Sequence, residues 1–133
     1  MKNYLLKLSV ALAICLAGIV SIHAEEKPFT IPEIREWAPA EGEFTFSKNV
    51  RVVYPASDGE LRIAAEVLAG NINLATGIKA KAKAGAKVRK GDVQIVLGDK
   101  PEEGYGIDIT DRIIITASTR RGAVWAGSAI LQI

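Results

Sequence analysis

Four carboxylates cluster in the last third of the chain: Glu102, Glu103, Asp108 and Asp111. Two carboxyl groups held about 5–10 Å apart across a cleft can hydrolyse a glycosidic bond. Their setting argues for a plainer role. Asp111 stands between two apolar runs, where turn chemistry accounts for it, and Asp108 falls on the solvent side of an alternating strand. Six cations, Lys79, Lys81, Lys83, Lys87, Arg89 and Lys90, lie within twelve residues. Such a patch could hold a nucleic acid or an acidic glycan. No aromatic side chain interleaves to stack on bases, so a solvated strand face that discourages edge-to-edge pairing is the simpler reading. Trp37 and Trp125 could stack on a pyranose ring. Trp125 has apolar neighbours and Trp37, close to Pro39, could anchor the surface, but for both the core or an interface is the favoured place. Tyr105 follows Gly104 at a strand start, with its hydroxyl expected at the rim. Arg120-Arg121-Gly122 could meet an anion at a helix N-terminus, but no Gly-rich phosphate loop surrounds it and a turn suffices.

Other chemistries are excluded by residue type. The only Cys (Cys15) and the only His (His23) fall within the first 24 residues. That stretch reads as a secretory signal. Lys2 and Lys7 are basic, Leu8 to Val20 is apolar, and small Ala24 precedes Glu25. The apolar run is shorter than the ~20 residues a spanning helix needs. Bulky Ile14 before Cys15, and apolar residues continuing beyond it, argue against a lipoprotein anchor. The expected product, residues 25–133, is secreted or periplasmic. It lacks disulfides, thiol nucleophiles, His-based triads and zinc sites built on Cys or His. Lys2 and Lys7 account for the formal +2 charge, so the remainder is neutral and no global field for nucleic acid or membrane is expected. At 133 residues the chain fills one domain and is far too short for a (β/α)₈ barrel, which needs about 250.

The elements that must position these residues follow from periodicity. Residues 42–47 alternate with Phe44 and Phe46 on one side, and Val50 to Tyr54 is β-branched and aromatic; both predict strands. Ser57-Asp58-Gly59-Glu60 has the capping-box pattern. Leu61, Ala64, Ala65, Leu68 and Ile72 follow at helical spacing, predicting a helix over 58–75 stopped by Gly77. Residues 78–84 alternate Ile/Ala with Lys, a strand with a lysine face. Residues 92–97 form a more apolar, central strand. Residues 104–111 and 112–118 form a hairpin turning at Asp111-Arg112, with its second arm buried on both faces. A second helix starts at Thr119, with Ala123, Ala126, Ile130 and Ile133 as its stripe. This predicts an α/β domain of α+β type: a mixed, mostly antiparallel sheet with two helices packed on one face. Ile130-Leu131-Gln132-Ile133 is apolar and uncapped, which leads us to expect that the natural chain continues.

The series Ile31-Pro32-Glu33-Ile34-Arg35-Glu36-Trp37, Gly42-Glu43-Phe44, Glu103-Gly104-Tyr105 and Gly122-Ala123-Val124-Trp125, with Ile130-Leu131-Gln132-Ile133, resembles a known family. It is similar to the N-terminal accessory domain of bacterial β-N-acetylhexosaminidases, glycoside hydrolase family 20, over residues 31–133. The last helix departs from the family pattern: Ala126 follows Trp125, and Ser128-Ala129 replaces a Gln-Thr pair. The resemblance implies a mixed sheet flanked by two helices. In the family, a separate barrel carries an adjacent Asp-Glu pair and works through the substrate's own acetamido group. This chain has no Asp-Glu dipeptide, so no catalytic, cofactor or metal residue is assigned to it.

The expected role is therefore a non-catalytic accessory domain, inactive alone. Its partner would be the catalytic barrel of the same polypeptide, and glycan would be met through that barrel, with no nucleic acid and no membrane. The alternative is a stand-alone periplasmic glycan-binding or interaction module. Reading the coding frame past Ile133 discriminates the two.

Overall fold

The computed structural model describes residues 26–41 and 43–133. The predicted signal, residues 1–24, and Gly42 lie outside the described residues. The elements are β1 (Asn49–Tyr54), α1 (Gly59–Thr76), β2 (Lys79–Ala84), β3 (Val93–Leu97), β4 (Tyr105–Ile109), β5 (Ile113–Ala117) and α2 (Arg120–Ile130).

Local chemistry sets the helix limits. The cap of α1 is Asp58, one residue later than the Ser57 box predicts; its Oδ1 accepts from the N–H groups of Glu60 (3.0 Å) and Leu61 (2.9 Å). The helix ends at Gly77, whose φ of 72° is the left-handed conformation glycine adopts without strain. For α2 the cap is Thr119, whose hydroxyl accepts from Gly122 N–H at 3.2 Å. We expect Asp58→Ala to cost about 1 kcal/mol, read as a lower urea midpoint with an unchanged m-value.

The strands form one sheet in the order β2-β1-β3-β5-β4. A mixed sheet with two helices is what the patterning predicts. The predicted antiparallel majority is corrected: β1–β2, β1–β3 and β3–β5 are parallel, and only β4–β5 is antiparallel. The reason lies in the segment 85–92. Extended, its eight residues reach about 26 Å. That is enough to descend one strand length and pass β1, so β3 can start at the same end as β1 without an intervening helix. Right-handed crossovers decide the face. β1 to β2 moves one way with α1 on the first face; β2 to β3 moves the other way and so passes over the second face. The hydrogen bond from Arg51 Nη2 to Lys87 O (2.9 Å) holds it there. Val53, on that second face, is buried.

The first face carries the core. Val50, Val52, Ala80, Val93, Ile95, Ile113, Ile115 and Ala117 meet Leu61, Ala64, Ala65, Leu68 and Ile72 of α1, with Ala123, Ala126 and Ile130 of α2. Each fully buried Leu or Ile contributes about 1.5–3 kcal/mol relative to exposure. The helices run side by side in the same direction. Glu60 of the first turn of α1 pairs with Arg120 of the first turn of α2 (2.8 Å), and Gly127 lies against Leu68.

The predicted strand over 42–47 does not form in the described residues. Phe44 and Phe46 turn inward as the alternation requires and meet edge-to-face at 4.9 Å. The Ser47 N–H to Gly91 O contact (3.4 Å) does not extend into a ladder. At the other end of the sequence, Gln132 clasps the incoming chain. Its Oε1 accepts from Ile31 N–H (2.8 Å) and its Nε2 donates to Ile31 O (3.2 Å).

Candidate functional site

The N-terminal ends of both helices and the turn before β4 meet at one corner. They enclose an open cleft of about 390 Å³ lined by Asp58, Glu60, Leu61, Glu102, Ser118, Thr119, Arg120 and Arg121. Its charged groups satisfy one another. Asp58 caps α1, Arg120 pairs with Glu60, and Arg121 reaches Glu102 (3.4 Å) and Glu103 (3.0 Å). Beneath them, Ser118 Oγ donates to the carbonyls of Lys100 (2.7 Å) and Pro101 (3.3 Å), and Thr119 Oγ1 donates to Glu102 O. A glycosidase acid needs a carboxyl set in an apolar pocket. The Glu60 and Glu102 side chains are 67% and 74% exposed and ion-paired. The corner is built as a clasp that fixes the turn 100–104 against α2.

The carboxylates considered as an acid/base set are not brought together. Glu102 and Glu103 stand at this corner. Asp108 points to the second face of β4, and Asp111 sits in the turn at the far end of that strand. In that turn the Arg112 guanidinium donates to Asp111 (Nε to Oδ1, 2.8 Å) and holds its carboxyl below the ordinary carboxylate range. Among the described residues no group of three or more His, Cys, Asp or Glu is placed to hold a metal ion, and no helix is long and apolar enough to cross a membrane.

One carboxylate escaped the sequence reading. Asp92 is 2% exposed at the start of β3. Burial pushes its pKa up. The Arg51 guanidinium that donates to it, the Arg89 N–H (2.8 Å) and the Arg51 N–H (3.3 Å) together outweigh burial and hold it below its usual value. Its role is to tie β1, the return segment and β3 together. A lone Asp opening an apolar strand, after a run of cations, was the available signal.

The lysine face of β2 is as predicted: Lys79, Lys81 and Lys83 are exposed while Ala80 is buried. Tyr105 is half-buried and packs against the core. Trp37 and Trp125 are 37% and 42% exposed. Trp125 lies on the outer side of α2. On α1, Ile63 (37% exposed), Val67 (42%) and Leu74 (88%) are also uncovered. They recur at i, i+4 and i+11, a second helical stripe on the side of α1 away from the core stripe, and that recurrence could have revealed them. The terminal apolar segment, by contrast, is partly sheltered. Ile130 is buried and Leu131 packs on the core, leaving Ile133 half-exposed.

Two of the motifs behind the family resemblance touch here. Gly122, in the first turn of α2, approaches the carbonyl oxygen of Gly104 so closely that a Cβ would stand 2.4 Å from it. The quoted Glu103-Gly104-Tyr105 and Gly122-Ala123-Val124-Trp125 segments thus form one contact. No curated protein matches the chain. The family described as glycosyl hydrolase family 20, domain 2, matches residues 27–133. With the mixed sheet, the two helices and a corner spent on internal ties, the chain belongs to glycosyl hydrolase family 20 as its domain 2, the accessory domain of a hexosaminidase-like glycoside hydrolase.

Proposed function

We propose that this domain is secreted, and that it docks on and stabilises a catalytic barrel in the same polypeptide. That barrel would release terminal N-acetylhexosamine from glycans. The observation that carries the docking role is the uncovered apolar surface of the helical layer: Ile63, Val67 and Leu74 of α1 with Trp125 of α2. These side chains lie opposite the core, and removing them from water would stabilise a contact by about 25 cal/mol per Å² of apolar area. In this reading the signal at residues 1–24 directs export, and the carboxylates of this chain take no part in catalysis.

Two measurements test it. The purified chain should leave a chromogenic aryl N-acetyl-β-glucosaminide uncleaved; robust turnover would refute the reading. In the barrel-bearing polypeptide, Val67→Asp should lower the thermal midpoint of the barrel and shorten its active half-life, while the same substitution leaves the isolated domain within about 0.5 kcal/mol of the parent. An unaffected barrel would remove the docking role.

A further inference from the structure

We infer that β2 and the return segment after it form a binding strip for a sulfated glycan chain. The inference rests on the glycoside hydrolase reading only for the class of polymer. The strip itself stands on placement and charge.

Alternation sends Lys79, Lys81 and Lys83 to the second face of the sheet, where they stand about 6.6 Å apart in a straight row. The return segment crosses that face, fixed by Arg51 through Lys87 O, and adds Lys87, Arg89 and Lys90, all exposed. Lys48 is exposed just before β1. From Val67 to Gly91 the chain holds no Asp or Glu, nor does β1. Two carboxylates lie nearby: Asp92 is buried and committed to Arg51, and Asp111, whose backbone carbonyl accepts from Gly91 N–H beside Lys90, is committed to Arg112. Among the described residues none of Lys79, Lys81, Lys83, Lys87 and Lys90 pairs with a carboxylate.

Edge protection does not account for the whole set. The outward backbone groups of Ala80 are already covered by Asn73, whose side chain donates to Ala80 O (3.0 Å) and accepts from Ala80 N–H (2.6 Å). The cations of the return segment are not on an edge strand at all. The chemistry selects among polyanions. Nucleic acid wants aromatic platforms between the cations, and there are none. An anionic bilayer wants large apolar side chains to insert, and the alternate residues here are alanines, of which Ala80 and Ala82 turn to the core. Carboxylate recognition favours the planar fork of arginine. A row of lysines, each a point charge, suits sulfates spaced along a polymer. The strip lies on the face opposite the apolar helix surface, so it stays in water when that surface is covered.

The test is retention of the purified chain on heparin and titration with a heparin octasaccharide at several salt concentrations. Binding at about 0.15 M NaCl is expected, weakening steeply with salt. Lys79→Gln/Lys81→Gln/Lys83→Gln should lower affinity about tenfold or more and reduce the slope of log K against log salt by about two to three. Lys87→Gln/Lys90→Gln should act in the same direction without touching a strand, and Lys→Arg at positions 79, 81 and 83 should preserve binding. Arg62→Gln/Arg120→Gln/Arg121→Gln removes equal charge from the helical layer and should leave affinity within about twofold. Equal loss in both triple variants, or no binding at all, overturns the inference. So does tighter binding to unsulfated hyaluronan, single-stranded DNA or phosphatidylglycerol vesicles than to heparin. If heparin fails while the barrel-bearing polypeptide cleaves its aryl substrate, this inference falls and the accessory-domain reading stands.

Discussion

Gly122→Ala is expected to lower the unfolding free energy by about 3 kcal/mol, the upper end of what overpacking costs. The added Cβ would stand 2.4 Å from Gly104 O and 3.4 Å from Ala117 Cβ. Neither side can yield cheaply. Gly104 N–H is bonded to Pro101 O (2.8 Å), and the turn is held by the hydroxyls of Ser118 and Thr119. α2 cannot retreat without losing the contact of Gly127 with Leu68. For a domain near 100 residues the midpoint should fall by roughly 12–20 °C. Two other glycines calibrate the result. At Gly127 an added Cβ meets Leu68 Cδ1 at 3.3 Å, the far end of a flexible side chain, so Gly127→Ala should cost under about 1 kcal/mol. At Gly70 nothing lies within 4 Å, and Gly70→Ala should stabilise by about 0.5–1 kcal/mol. If Gly122→Ala melts with the parent, the contact between the two motif segments is not as close as described.

Asp92→Asn should cost about 3 kcal/mol, because it leaves the Arg51 guanidinium, only 18% exposed, without its counter-charge. The pH dependence has a fixed sign. The folded-state pKa of Asp92 is depressed, so its contribution is complete above the unfolded carboxylate value near 4 and is lost as pH falls through the folded value. Urea midpoints of the parent should therefore decline below about pH 4, and those of Asp92→Asn should decline less steeply over the same window. Asp108→Asn, an exposed carboxylate on the same face of the sheet, should stay within about 0.5 kcal/mol at neutral pH. Parallel pH profiles for parent and Asp92→Asn would show that the Arg51 pair carries no acid sensitivity.

Most elements were legible because each rests on a local rule. The lysine alternation placed β2, the stripe from Leu61 to Ile72 placed α1, and Gly77 marked its end. What was illegible is what distance decides. Strand direction leaves no mark on a β-branched run: Val93 to Leu97 reads the same beside a parallel or an antiparallel neighbour. The answer lay in the reach of residues 85–92, whose composition says only that they are polar. The predicted strand at 42–47 has the right inward residues but no partner. The site was obscured for a related reason. The carboxylates that looked chemical are scattered or ion-paired, and the structurally decisive one, Asp92, gains its meaning only when Arg51 and Arg89, 41 and 3 residues away, converge on it. Ile63, Val67 and Leu74 were overshadowed by the stronger stripe on the other side of the helix.

The Gln132 clasp on Ile31 brings the two ends of the described fold to one spot. A pull on flanking chain therefore loads that carboxamide first and the β-ladder hardly at all. The chain thus enters and leaves the fold at one point, so the domain forms a self-contained block whose apolar helix face is left clear to meet a neighbour.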